Sequence, residues 1–137
     1  METCPTKPGS LIAVVDDEEA VCRALERLLR SVGFDVETFS SGAAFLESRG
    51  RWRADCVVLD VHLPGLSGCE IQAQLAEASQ EVPVVMITGR DSEETREQAM
   101  SAGAAAYLRK PVDDQTLLST LAAAMARTGK NRRAPRG

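Results

Sequence analysis

The N-terminal stretch contains no apolar run. Met1 to Ser10 holds two prolines and one glycine, which offers neither a secretion signal nor a membrane anchor, so a soluble, cytoplasmic protein is expected, with residues 1–9 flexible. The four cysteines, Cys4, Cys22, Cys56 and Cys69, form no C-x-x-C pair, and His62 is the only histidine, so no recognisable zinc motif can be assembled. The thiols are expected to be reduced, with Cys56 buried. No glycine-rich loop follows the first apolar run, where VVDDEEA stands instead, and this argues against a flavin or dinucleotide carrier. Internal repeats are also lacking. Basic residues are scarce outside the C-terminal end. The net charge is −4, but Arg127, Lys130, Arg132, Arg133 and Arg136 close the chain without an acid among them, leaving −9 on residues 1–126. So acidic a body cannot neutralise phosphates, which excludes direct nucleic acid binding by the folded part.

What is present is an alternation. At 137 residues with 44% hydrophobic content the chain can bury one core. Short apolar runs, Leu11 to Val15, Val36 to Phe39, Cys56 to Leu59, Val84 to Thr88 and Ala106 to Arg109, predict strands. Between and after them Glu18 to Ser31, Ser41 to Arg49, Ser67 to Ala78, Ser92 to Ala102 and Asp113 to Arg127 predict helices. In the first helix Val21, Leu25, Leu28, Leu29 and Val32 recur at the spacing of one apolar face, and Gly33 supplies a stop. Ser67 and Ser92 stand where N-caps are wanted. The runs LIAVV, CVVL and VVMI are apolar throughout, as strands buried on both faces of a parallel sheet must be. A doubly wound α/β domain with a five-stranded parallel sheet and five helices follows, covering residues 10–127. Residues 128–137 are expected to be a flexible basic tail or a linker stub.

Polar residues interrupt these runs at one end only. LIAVV leads into Asp16 and Asp17, CVVL into Asp60, VVMI into Thr88, and AYLR into Lys110. Ligands of open parallel sheets bind beyond the carboxyl ends of the strands. Three carboxylates converging there would repel one another unless a cation compensated them. Mg²⁺ suits such a site, because it takes oxygen ligands from one or two carboxylates, waters and a phosphate oxygen. With Thr88 and Lys110 added, the set forms a phosphate pocket in which an Asp60 oxygen could attack in line to give an aspartyl phosphate.

These residues resemble the response-regulator receiver family over roughly residues 10 to 125. VVDDEEAV is similar to the family's acidic pair, VVLDVHLPGLSG to its phosphoacceptor strand and loop, PVVMITGR to its switch strand and AYLRKP to its lysine strand. The resemblance implies the flavodoxin-like strand order 2-1-3-4-5. It also implies a signalling switch, not a turnover enzyme, that takes a phosphoryl group from a histidine kinase or phosphotransfer protein. Carried over by residue, Asp60 is the phosphoacceptor, Asp17 a direct Mg²⁺ ligand and Asp16 an acid acting mainly through water. The backbone carbonyl of His62 is a further ligand. Thr88 binds the phosphoryl group and moves toward it, Lys110 pairs with it, and the ring of Tyr107 turns inward with Thr88. The Lys110–Pro111 peptide is implied to be cis. The face made by the fourth helix, fifth strand and fifth helix, roughly Glu93 to Leu108 and Thr116 to Met125, is the family's output surface, which pairs two chains or docks a partner after phosphorylation. ITGRDSEETREQAMSAGAAAYLRKP and FLESRG further resemble receivers that precede helix-turn-helix DNA-binding domains. No such domain follows, so a stand-alone regulator and a truncated one both stay open.

Taken singly, each residue has an ordinary alternative. Asp16 and Asp17 could serve the following helix as caps, Asp60 a turn, Thr88 a strand, Lys110 the solvent and Tyr107 the sheet surface. A lone loop histidine such as His62 is more often neither ligand nor proton carrier. The combination carries the reading, since five residues of complementary sign fall at the same end of four strands. An aspartate-dependent phosphohydrolase would need an acid two residues after Asp60, where His62 stands, and a binding-only degenerate receiver would not keep the full set. His62 and Arg90, two positions after Asp60 and Thr88, are expected to slow phosphate loss by covering the pocket or by competing for the approach of the attacking water. Gly89 is expected to leave a phosphodonor room to approach.

Overall fold

The structure is a computed structural model that describes residues 10–48, 54–77 and 82–133, with side chains over the same ranges except 76, 77 and 127–133. Five strands, β1 (Leu11–Val15), β2 (Asp35–Phe39), β3 (Cys56–Asp60), β4 (Val84–Thr88) and β5 (Ala106–Arg109), form one parallel sheet in the order β2-β1-β3-β4-β5. Five helices connect and close it: α1 (Glu19–Ser31), α2 (Gly42–Glu47), α3 (Gly68–Glu77), α4 (Glu93–Ser101) and α5 (Asp114–Arg133).

All residues of β1, β3 and β4 are buried, as their unbroken apolar runs require. Successive side chains point to opposite faces. Ile12, Val14, Val58, Val85 and Ile87 meet Leu25 and Leu29 of α1 and Leu117 and Leu121 of α5 in one core. Ala13, Val15, Leu59 and Met86 meet Phe45 of α2, Ile71 and Leu75 of α3 and Ala99 of α4 in the other. Each fully buried Leu, Ile or Phe contributes roughly 1.5–3 kcal/mol. The sheet is therefore gripped from both sides and its strand ends are held rigidly.

The helix starts follow the capping residues. Ser92 accepts from the Thr95 N–H at 3.0 Å, and Ser41 accepts from the Ala44 N–H at 3.1 Å. Ser67 and Glu70 exchange two such bonds, from the Glu70 N–H to Ser67 Oγ and from the Ser67 N–H to Glu70 Oε1. Three details differ from the periodicity. The apolar stripe of α1 centres on Cys22, Leu25 and Leu29, while Val32 lies past the last helical residue and is exposed. β3 extends one residue further, to include Asp60. α5 continues to Arg133, into the segment read as a flexible tail. No proline stands between Arg127 and Arg133, and lysine and arginine are good helix formers that also suit a helix C-terminus. Residues 1–9 with Cys4, residues 134–137, Arg49 and Ala78 lie outside the described residues.

Cys22, Cys56 and Cys69 are free thiols, and burial pushes Cys56 up to about 12, so it stays protonated and unreactive. No helix among the described residues is long and apolar enough to cross a membrane.

The loop after β3 is folded back on itself. The Val61 N–H donates to the Ile87 carbonyl at 2.9 Å and the Gly68 N–H to the Val61 carbonyl at 3.0 Å. A Cβ at Gly68 would stand 2.8 Å from the Asp60 carbonyl oxygen and 3.0 Å from Val61 Cα, both backbone atoms that cannot rotate away. Gly68→Ala should therefore cost about 1–3 kcal/mol in urea unfolding, the range for overpacking. At Gly89 a Cβ would meet only Lys110 Cδ at 3.9 Å, so Gly89→Ala should stay within about 0.5 kcal/mol of the parent. Equal stabilities for the two variants would contradict this account of the loop.

Candidate functional site

Backbone hydrogen bonds carry the sheet's order one step past the strands. The Asp16 N–H donates to the Phe39 carbonyl at 3.0 Å, and the Lys110 N–H to the Thr88 carbonyl at 2.8 Å. Asp16 and Lys110 are thus fixed as firmly as Asp60 and Thr88, the last residues of β3 and β4. Asp16, Asp60 and Thr88 are buried, and Asp17 is exposed at the rim. The fold brings the five residues to one end of the sheet.

Lys110 Nζ is the centre of the site. It lies 2.8 Å from Glu18 Oε1, 2.9 Å from Asp16 Oδ2 and 3.2 Å from Asp60 Oδ2. Burial alone would lower the pKa of this ammonium, but Glu18, Asp16 and Asp60 outweigh it and hold the lysine charged well above its usual range. The Asp16 carboxyl is raised, because its burial outweighs the relief from Lys110 and from the Glu18 N–H, which donates to Asp16 Oδ1 at 2.8 Å. The Lys110 ammonium, through its hydrogen bond and its charge, holds Glu18 below its ordinary value. Asp60 is pinned at both oxygens, Oδ2 by Lys110 and Oδ1 by the His62 N–H at 3.0 Å. The Thr88 hydroxyl accepts from the Arg90 N–H at 2.9 Å and retains its own proton to donate.

Asp16, Asp17 and Asp60 each offer an oxygen, all within 4.8 Å of one another. Oxygens on opposite sides of a Mg²⁺ ion stand about 4 Å apart, since each bond is about 2.0–2.1 Å, so the spread of these three oxygens is close to that of a shared ion. The chemistry of the donors also fits. Asp16 Oδ2 is buried, and the contact recorded for it is the ion pair with Lys110 at 2.9 Å. A carboxylate oxygen with a single contact retains lone-pair capacity for a cation.

His62 and Arg90 are exposed, and His62 meets the cluster through its backbone N–H. The Lys110–Pro111 peptide is cis, as the resemblance implies. Tyr107 lies outward on β5, where its hydroxyl donates to Asp91 Oδ1 at 2.9 Å. Two residues were not singled out by the sequence. Glu18 is the third member of the DDE run and reaches Lys110, and Asp91 sits three residues after Thr88. The run of acids was a readable signal for Glu18, whereas nothing in the spacing marks Asp91.

The arrangement can hold a divalent cation beside the Asp60 carboxylate, with Lys110 and Thr88 at the same end of the sheet. The family profile described as "Response regulator receiver domain" matches residues 12–122. This chain belongs to the response-regulator receiver family.

The receiver is 38% identical over 117 residues to the response regulator protein TodT of Pseudomonas putida, covering 85% of this chain and 52% of TodT. It is 35% identical over 127 residues to the transcriptional regulatory protein FixJ of Azorhizobium caulinodans, covering 92% and 60%. Among solved structures, response regulator StyR superposes with a TM-score of 0.85 at 39% identity, over 93% of this chain and 65% of that one. The chain spans about half the length of the curated relatives it matches. Receivers are phosphorylation switches of two-component systems that work with histidine kinases, generally bind Mg²⁺ at an acidic pocket, and are not turnover enzymes in general.

Removing the lysine tests the charge arrangement. Lys110→Met leaves buried Asp16 and Asp60 without a cation, and should lose about 1–3 kcal/mol near neutral pH in the presence of EDTA, less than for a wholly buried pair. The raised Asp16 binds its proton more readily folded than unfolded, so ionising it opposes folding as pH rises through the folded value. The deficit should therefore shrink as pH falls toward 3.8. Urea unfolding at both pH values measures it, and a deficit that grows with acidity would show that the lysine plays another role.

Proposed function

We propose that this chain, over residues 10–127, is a cytoplasmic phosphorylation switch in which Asp60 accepts a phosphoryl group from a histidine kinase or phosphotransfer protein. The observation that carries the proposal is the Asp60 carboxylate, held between Lys110 and the His62 N–H beside Asp16 and Asp17. An Asp60 oxygen attacks phosphorus, the bond from phosphorus to the donor breaks, and the donor leaves with the electron pair. Mg²⁺, held by Asp17, Asp60, the His62 carbonyl and, mainly through water, Asp16, would supply charge neutralisation on the phosphoryl oxygens.

Lys110 exchanges part of its carboxylate contacts for a phosphoryl oxygen, and Thr88 turns its hydroxyl toward the same group. Tyr107 then turns inward. The face of α4, β5 and α5 changes with it and docks a partner, a second copy of the chain or a DNA-binding output domain. The last option draws support from FixJ, whose name is that of a transcriptional regulator, and from relatives about twice this length. The acidic domain itself binds no nucleic acid and no membrane.

Incubation with acetyl phosphate and Mg²⁺, followed by intact mass, should give one phosphoryl adduct that is absent in Asp60→Asn and in EDTA. An adduct that persists in Asp60→Asn would falsify the assignment. His62→Ala and Arg90→Ala should each shorten the adduct's lifetime by about two- to fivefold, the scale of a partly exposed contact. Unchanged lifetimes in both would remove their covering role.

A further inference from the structure

Asp91 makes two contacts at the outer edge of β5. Its Oδ1 accepts from the Tyr107 hydroxyl at 2.9 Å, and its Oδ2 lies 3.7 Å from Arg109 Nη1. Tyr107 and Arg109 are two apart on one strand and so face the same side. The Arg96 guanidinium of α4 stands 5.8 Å from the centre of the Tyr107 ring. Asp91 is only 23% exposed at its side chain, against 72% for Arg109, so the carboxylate is the better-shielded partner. Tyr107 therefore has both its hydroxyl and its ring face engaged in the outward position.

The same loop is tied to the pocket. Thr88 pairs with Arg109 across the sheet, and the Thr88 hydroxyl accepts from the Arg90 N–H, one residue before Asp91. A Thr88 hydroxyl that turns toward a phosphoryl group must release the Arg90 N–H. The segment that positions Asp91 then loses its anchor at the pocket end.

We propose that Asp91 is a positioning residue that latches Tyr107 outward, so that release of the Arg90 N–H by Thr88 weakens the latch and frees the tyrosine to turn. The proposal rests on the reading of Asp60 as phosphoacceptor and adds the group that sets the balance of the switch. The contact acts against the phosphorylated arrangement. When the outward arrangement dominates in the free protein, whatever stability the latch gives it is subtracted in full from the apparent affinity for a phosphoryl group.

Tyr107 is the only tyrosine in the chain, so the alkaline absorbance change of phenolate formation reports it alone. Burial first, then the hydrogen bond and charge of Asp91, raise its pKa above the ordinary 10.0. In Asp91→Ala the phenol midpoint should fall back toward 10.0. The second measurement is calorimetric binding of beryllium fluoride, a phosphoryl mimic, at saturating Mg²⁺. Asp91→Ala and Tyr107→Phe should each bind it about two- to fivefold more tightly than the parent, the range for partly exposed polar contacts, and the double variant no more tightly than either. Tyr107→Phe removes only the hydroxyl, so it answers the question even where the loop variant folds poorly.

An unmoved phenol midpoint would mean that the contact is not made in solution, and the latch is overturned. A lowered midpoint with unchanged or weaker beryllium fluoride binding would mean that the contact does not weigh on the switch, which overturns it equally. A parent that binds no beryllium fluoride with Mg²⁺ present sinks the phosphoacceptor reading, and the latch with it.

Discussion

Four acidic side chains and one ammonium share the carboxyl end of this sheet, and most of the local structure answers the resulting repulsion. Asp16 has no solvent contact, and Asp60 almost none, so water cannot screen them. Lys110 sits within 3.2 Å of Asp16, Glu18 and Asp60 and, among the described residues, carries the positive charge in direct contact with all three. The helices on both sides keep the two buried carboxylates in place, because β1 and β3, from whose ends Asp16 and Asp60 project, are wholly buried. A looser sheet would let the carboxylates separate and protonate independently. Here they cannot separate, so they remain poised for a cation.

The rigidity has a sequence origin. β1, β3 and β4 lack the alternation of a half-exposed strand, and each offers one set of side chains to α1 and α5 and the other to α2, α3 and α4. The loop after β3 must then return within a few residues to start α3. Gly68 makes this return possible, since any side chain would collide with the backbone of Asp60 itself. The position of the Asp60 carboxylate is in this way coupled to a residue eight places along the chain that never touches it with a side chain.

Much of this is legible in the amino-acid sequence. Apolar runs ending in Asp16, Asp60, Thr88 and Lys110 marked strand ends, and serines marked helix starts at Ser67 and Ser92. Other features depend on three-dimensional closure. Which face of a fully apolar strand meets which helix cannot be read from a run without alternation. Cys22 replaced Val32 in the buried stripe of α1 because the helix stops at Ser31, and helix ends are weakly encoded. The length of α5 exceeded expectation because composition alone made a basic, glycine-containing segment look like a tail. Asp91 was invisible for a different reason: its partners, Tyr107 and Arg109, are distant in sequence and are brought to it by the parallel pairing of β4 with β5.

Thr88 is where the pocket and the outer face meet. Its carbonyl accepts from the Lys110 N–H, its hydroxyl accepts from the Arg90 N–H, and its cross-strand neighbour is Arg109. The carbonyl bond is part of the sheet's order and survives any rotation of the side chain. The hydroxyl bond does not, since one χ1 rotation breaks it. A residue with one fixed and one breakable attachment can change what it holds without disturbing the strand that carries it. Threonine suits this position because its β-branched body packs in a buried strand while its hydroxyl stays free to choose between two partners. Serine would keep the hydroxyl but lose the packing, and valine would keep the packing but lose the choice. The demand for a buried strand end and the demand for a movable hydroxyl thus converge on the same side chain.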